Sequence, residues 1–220
     1  MQQPKHEGGH SRKQFQIDRL AFFSDAVIAI AITLMVLEIK IPAIPDKPLN
    51  ELLAMYSDGF MLHAGALCVC FATIGNLWIK HHDLYEHIVD YNKALIKRNL
   101  YFLLAVVLLP VSISFMFSEG SPARIKLFLF FLNLSVCNFF YFFMLQVIHH
   151  TNNNFSSLQD TKLINKNKRS TLLLAVLFIV AGVLALNRSE LFYVPLFAVP
   201  VVNILRRVYT FITGLVARPK

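Results

Sequence analysis

The densest group of metal-competent side chains closes an apolar stretch as Trp78-Ile79-Lys80-His81-His82-Asp83-Leu84-Tyr85-Glu86-His87. His82 and Glu86 stand four residues apart, as do Asp83 and His87, so each pair shares a helical face at a spacing that suits a transition-metal ion. No His-Glu-x-x-His pattern accompanies them, and no second ligand cluster completes a coordination shell. His149 and His150 fall at a comparable helix end, but nothing in the sequence joins them to the first group. The expected role is interfacial: Trp78 anchors a helix at headgroup depth, and the histidines hydrogen-bond to neighbours. No metal and no cofactor is expected. Serine–histidine dyads, phosphate-binding loops and paired carboxylates are also missing, so the chain is not expected to be an enzyme.

A second polar group is more informative. Arg19, Phe23, Ser24 and Asp25 precede an apolar run from Ala26 to Leu37 that only Thr33 interrupts. A carboxylate one to two turns inside such a run costs free energy in hydrocarbon unless it faces protein or water, and the Asp side chain is too short to snorkel out. Taking about 100° per residue from Ile30 as zero, Leu37 falls at about −20°, Leu34 at about 40°, Ala26 at about −40° and Thr33 at about −60°. Those four form one stripe with Ile30. Ser24, at about 120°, and Asp25, at about −140°, point away from it, as they would if they tied this helix to its neighbours.

The elements that must position these residues are membrane helices. Of 220 residues, 56% are hydrophobic and only 15% charged, against about a quarter charged in soluble domains. That balance excludes a soluble domain, a disordered chain and a disulfide scaffold. Cys68 and Cys70 lie about 200° apart on a helix, so with Cys137 they are expected to be small core residues. Six apolar stretches approach the roughly 20 residues a bilayer requires: Leu20 to Ile41, Phe60 to Ile79, Leu100 to Phe117, Leu127 to Ile148, Thr171 to Asn187 and Leu191 to Leu205. The expected fold is all-α and polytopic, with a tail over 1–19, a six-helix membrane domain over 20–205 and a second tail over 206–220.

Charge sets the orientation. Four Lys or Arg fall in each of the N-terminal tail, Lys80 to Arg98, Lys162 to Arg169 and Arg206 to Lys220; the three alternate connections hold five in all. Sixteen against five is a positive-inside pattern that places both termini in the cytoplasm. The net charge of +8 is therefore explained by loops, without a nucleic-acid partner. Thr151 to Arg169 is expected to be a polar linker. Pro110 is expected to shape the third helix, Pro195 and Pro200 to bend the sixth, and Asn133, Ser135 and Asn138 to hydrogen-bond across helices.

The first helix, Arg19-Leu-Ala-Phe-Phe23-Ser24-Asp25 followed by Ala-Val-Ile-Ala-Ile-Ala-Ile-Thr33-Leu-Met-Val-Leu37, closely resembles the signature of the transmembrane protein 175 family of potassium channels. The likeness extends to Trp78-Ile-Lys-His81-His82 and to Asn99 with Leu108-Leu109-Pro110, although Ala26 and Val111 replace a common glycine and phenylalanine. The resemblance implies a prokaryotic, single-repeat member in the bacterial inner membrane. It implies a homotetramer whose first helix lines a central pore passing potassium ions. Carried over by position, Ile30 is the narrowest ring, with Leu34 and Leu37 further along and Thr33 offering hydroxyls. Arg19, Phe23, Ser24, Asp25, Trp78, His81 and Asn99 form a polar network that holds the pore helices in register. The competing expectation is a proton-coupled transporter or proton pathway using Asp25 and a histidine.

Overall fold

The computed structural model describes residues 7–38, 49–118, 120–150 and 161–187. Five α-helices occupy them: α1 (Glu7–Leu34), α2 (Leu49–Glu86), α3 (Lys93–Phe117), α4 (Ala123–His150) and α5 (Thr161–Asn187). A short 3-10 helix, Met35–Glu38, prolongs α1. Stretches within α1, α3, α4 and α5 are long and apolar enough to cross a bilayer. The second expected span, Phe60 to Ile79, falls within the continuous backbone helix α2. The sixth, Leu191 to Leu205, lies outside the described residues, as does the expected bend at Pro195 and Pro200.

Two helices begin earlier than hydropathy alone suggests. α5 starts at Thr161, so the second half of the expected linker, residues 161–169, is helical. It contains no Gly or Pro, and Lys, Leu, Ile and Arg are adequate helix formers that propagate once the apolar part has nucleated. α1 starts at Glu7, and Ile17 from this polar extension is buried. The extension is tied down by Lys13, whose Nζ lies 2.8 Å from Asp90 Oδ2 in the α2–α3 connection. The other Asp90 oxygen accepts the Tyr91 backbone N–H at 2.8 Å. The hydrogen bond from Lys13 and then that from the backbone hold the Asp90 carboxyl below the usual carboxylate range. A depressed pKa means that this tether is present above the unfolded value and is lost as pH falls through the folded one. In an NMR titration Asp90 is expected to protonate at lower pH than an ordinary aspartate. Lys13→Gln should move its midpoint upward; an unmoved midpoint would show that the pair contributes nothing.

The order of the helices follows from their contacts. Arg98 meets Phe143, Tyr101 stacks on Phe140 and Ser112 meets Asn133, so α3 and α4 run antiparallel. Ser135 Oγ donates to Ala175 O at 2.8 Å and Phe131 stacks on Phe178, which makes α5 antiparallel to α4. Asn133 and Ser135 therefore bond across helices, whereas Asn138 Nδ2 turns back to Leu134 O of its own helix. Pro110 sits inside α3, where its missing N–H leaves the carbonyl of Val106 without its usual partner. Just beyond it, Ser112 Oγ donates to Leu108 O and receives Asn133 Nδ2, clipping the far side of the proline to α4.

The α4–α5 seam depends on small residues. Ala175, Ala181, Gly182 and Ala185 are buried along α5, and a Cβ placed on Gly182 would stand 3.2 Å from the Phe128 ring and 3.4 Å from Phe131 Cβ. Such close approach is how helices gain van der Waals contact in lipid. Gly182→Val is expected to force the helices apart at a cost of about 1–3 kcal/mol, the usual range for overpacking. Thermal unfolding in detergent should register the loss; an unchanged midpoint would mean that the seam absorbs the branched side chain.

Candidate functional site

α1 has two faces of opposite character. Ile17, Ser24, Ile28, Ala31 and Met35 are buried, and their spacing of seven, four, three and four residues forms a seam against the rest of the bundle. Relative to Ile30 that seam lies at about 100° to 160°, nearly opposite the Ile30 stripe. Ile30 is 58% exposed, Leu34 42% and Leu37 76%, and Ala26 and Thr33 are exposed beside them. The helix thus presents a bulky aliphatic stripe that the described residues leave exposed.

Two local features shape this stripe. The change to 3-10 geometry at Met35 nearly eclipses residues three apart, which sets Leu37 more closely over Leu34 than a continued α-helix would. Thr33 Oγ1 donates to the Ile30 carbonyl at 2.9 Å. Its hydroxyl hydrogen is engaged by the helix, and its oxygen lone pairs remain free to face a cation.

The buried face carries a hydrogen-bond chain. Ser24 Oγ donates to Leu20 O at 2.8 Å, Asn99 Nδ2 donates to Ser24 Oγ at 2.9 Å, and Asn99 Oδ1 lies 2.8 Å from His81 Nε2. The proton positions follow by elimination. Because the Ser24 hydroxyl spends its hydrogen on Leu20, it can only accept from Asn99, which orients the carboxamide nitrogen toward it. The carboxamide oxygen then faces His81, so His81 Nε2 carries a proton. Ser24, Asn99 and His81 are all essentially buried, and the chain joins α1, α2 and α3 at one point. The His81 ring is further held between Tyr85, at 4.4 Å, and Phe102, at 5.5 Å.

A second link lies alongside. Trp78 Nε1 donates to Asp25 Oδ1 at 2.8 Å, again pairing α2 with α1. Asp25 is half-buried and within electrostatic reach of His81. The other two expected network members stand apart: Arg19 is exposed and lies over the Phe15 ring at 5.9 Å, and Phe23 is half exposed. Among the described residues, no three His, Cys, Asp or Glu side chains gather to hold a metal. His82 stacks on Trp78, and His87 Nδ1 contacts the Asp83 backbone carbonyl at 2.7 Å.

Sequence reasoning missed several supporting contacts. Tyr85 is four residues beyond His81, a spacing that could have revealed their stacking. Tyr141 Oη donates to Lys80 O, and Arg98 Nη1 to Phe143 O; both acceptors are backbone atoms, which no residue pattern marks. Cys70 and Cys137 are buried and Cys68 is exposed, all three as free thiols.

Residues 19–110 match the family model described as endosomal/lysosomal potassium channel TMEM175. Over 100 residues the chain is 35% identical to a potassium channel of Streptomyces collinus, covering 42% of this chain and 43% of the relative. A potassium channel of Chamaesiphon minutus is 33% identical, over 44% and 48% respectively. The mouse endosomal/lysosomal proton channel TMEM175 is 34% identical over 36% of this chain and 18% of its own length. The matched stretch is thus less than half of each bacterial relative. In fold the likeness reaches further: the crystal structure of a lysosomal potassium-selective channel TMEM175 homolog from Chamaesiphon minutus superposes with a TM-score of 0.69. It does so at 21% identity, covering 87% of this chain and 97% of that one. The chain is thus a multi-pass membrane protein whose residues 19–110 are similar to the TMEM175 family.

Proposed function

We propose that the chain is the subunit of a potassium channel, assembled as a homotetramer with α1 around the axis, in a bacterial cell membrane with both termini cytoplasmic. The observation that carries this reading is the uncovered aliphatic stripe of Ile30, Leu34 and Leu37 on a helix whose opposite face is fixed by the Ser24–Asn99–His81 chain. A helix at the centre of a single-chain bundle would bury that stripe; a helix shared around a pore leaves it for the lumen. The two bacterial relatives carry the name potassium channel, which supports the ion.

Conduction on this reading is passive. Four Ile30 side chains form a ring that excludes water when tight and admits a partly dehydrated ion when the helices spread. The sequence contains no Thr-Val-Gly-Tyr-Gly filter, so selectivity rests on the cost of removing water, which is greater for sodium than for potassium. The test is cation flux from liposomes holding the purified chain, with its subunit number measured in the same preparation. Potassium flux above sodium flux from a four-subunit particle is expected; a monomeric particle that conducts would overturn the pore arrangement.

A proton pathway is the second reading, favoured by the half-buried Asp25 on Trp78 and by the proton-channel name of the mouse relative. It requires Asp25→Asn to abolish proton flux in folded protein, while the channel reading requires only that α1 stay in place.

A further inference from the structure

The helices α3, α4 and α5 contain no Asp or Glu at all, yet they carry many cations. Their antiparallel order places Lys93, Lys97 and Arg98 at the start of α3 and Lys166, Lys168 and Arg169 near the start of α5 at one end of the bundle, on either side of the last turns of α4. At that same end α1 and α2 are charge-mixed, and Lys13 of α1 is already paired with Asp90 in the α2–α3 connection. Asp83 of α2 lies within electrostatic reach of Tyr141, which is buried.

Arg98 differs from the other cations in being placed. Its Nη1 donates to the Phe143 carbonyl at 2.6 Å, and its guanidinium lies over the Phe143 ring at 5.7 Å. Phe143 continues the outward stripe of α4, which runs through the exposed Leu132, Phe139 and Gln146. Phe139 meets Phe143 edge-on at 4.6 Å. The guanidinium therefore sits where an aromatic, membrane-facing surface meets the basic end of the helices, with most of its donors unspent. A phosphate above it and an acyl chain along Phe139 and Leu132 would satisfy both halves of this surface.

We propose that the basic end of α3–α5, centred on Arg98, binds the headgroup phosphate of an anionic phospholipid in the leaflet it faces. Cations near an anionic surface each strengthen binding by about fivefold, so a set carried by helices without Asp or Glu supports selection over zwitterionic lipid. This surface lies apart from the Ile30 stripe, and its test reads lipid composition instead of ion flux.

The full chain is reconstituted in phosphatidylcholine vesicles with a minor fraction of phosphatidylglycerol and extracted gently. The lipids that stay bound are then weighed by native mass spectrometry. Phosphatidylglycerol is expected to be enriched over its bulk share, with about a fivefold fall for Arg98→Gln and little change for Arg98→Lys. Lys168→Gln gives a smaller fall and serves where Arg98→Gln does not fold. A bulk lipid ratio on the unaltered chain overturns the proposal and points to a second copy of the chain covering this face. An equal fall for Arg124→Gln, at the opposite end of α4, also overturns it by showing unspecific attraction of charge.

Discussion

Ile30→Asn is expected to raise potassium flux by about tenfold and to bring the sodium rate close to that of potassium. Ile30 is the most central member of the exposed stripe, and more than half of its surface is open. An aliphatic ring excludes water, and an ion crossing it loses hydration without replacement. In the proposed tetramer, four carboxamides in the same place would offer oxygen ligands and admit water, lowering the barrier for both ions and more for the one that holds its water tighter. A tenfold rise corresponds to about 1.4 kcal/mol off the barrier, a small part of what partial dehydration costs. Ile30→Val shortens the side chain but keeps the ring apolar, so it should raise flux less and retain selectivity. The measurement is the ratio of potassium to sodium efflux from liposomes. A ratio unchanged in Ile30→Asn would remove Ile30 from the constriction, even if total flux changed.

The features that survive from sequence to structure are those with a periodic or energetic signature. Asp25 and Ser24 stand out because polar groups in an apolar run need partners, and the structure supplies Trp78 and Asn99. The opposition of the Ile30 stripe to the Ser24 side is a matter of helical angle, which depends on spacing alone. Arg19 and Phe23 belong with these only by their place in the motif, not by angle, and they stand on the exposed side. Helix starts were less legible. Thr161 and Glu7 open helices within polar sequence, where no apolar periodicity marks the boundary. Arg98 illustrates the remaining gap: its partner is the carbonyl of Phe143, and backbone acceptors look alike at every residue.

Asn99→Leu is expected to destabilise the chain by about 2–4 kcal/mol, the largest effect of any single change away from the stripe. The two side chains are similar in size, so the loss comes from hydrogen bonding and not from a cavity. Ser24 keeps its bond to Leu20 and loses only a donor to its oxygen, a modest penalty. His81 fares worse: its Nε2–H is left buried without an acceptor, which costs about 1–3 kcal/mol beyond the lost bond. His81→Phe alone should also destabilise, since Asn99 Oδ1 then lacks its donor while the ring stays stacked between Tyr85 and Phe102. Combining the two removes both orphaned groups. The double variant Asn99→Leu/His81→Phe should therefore be more stable than the sum of the single losses by about 1–3 kcal/mol. Thermal unfolding of all four proteins in one detergent measures that difference. Additive losses would mean that His81 and Asn99 act separately, and that their bond does not couple α2 to α3. If instead the coupling is found, the same variants link stability to conduction. On the proposed pore, freeing Ser24 lets α1 turn about its axis, so Asn99→Leu should blur potassium selectivity, and the double variant should recover part of the stability without recovering selectivity.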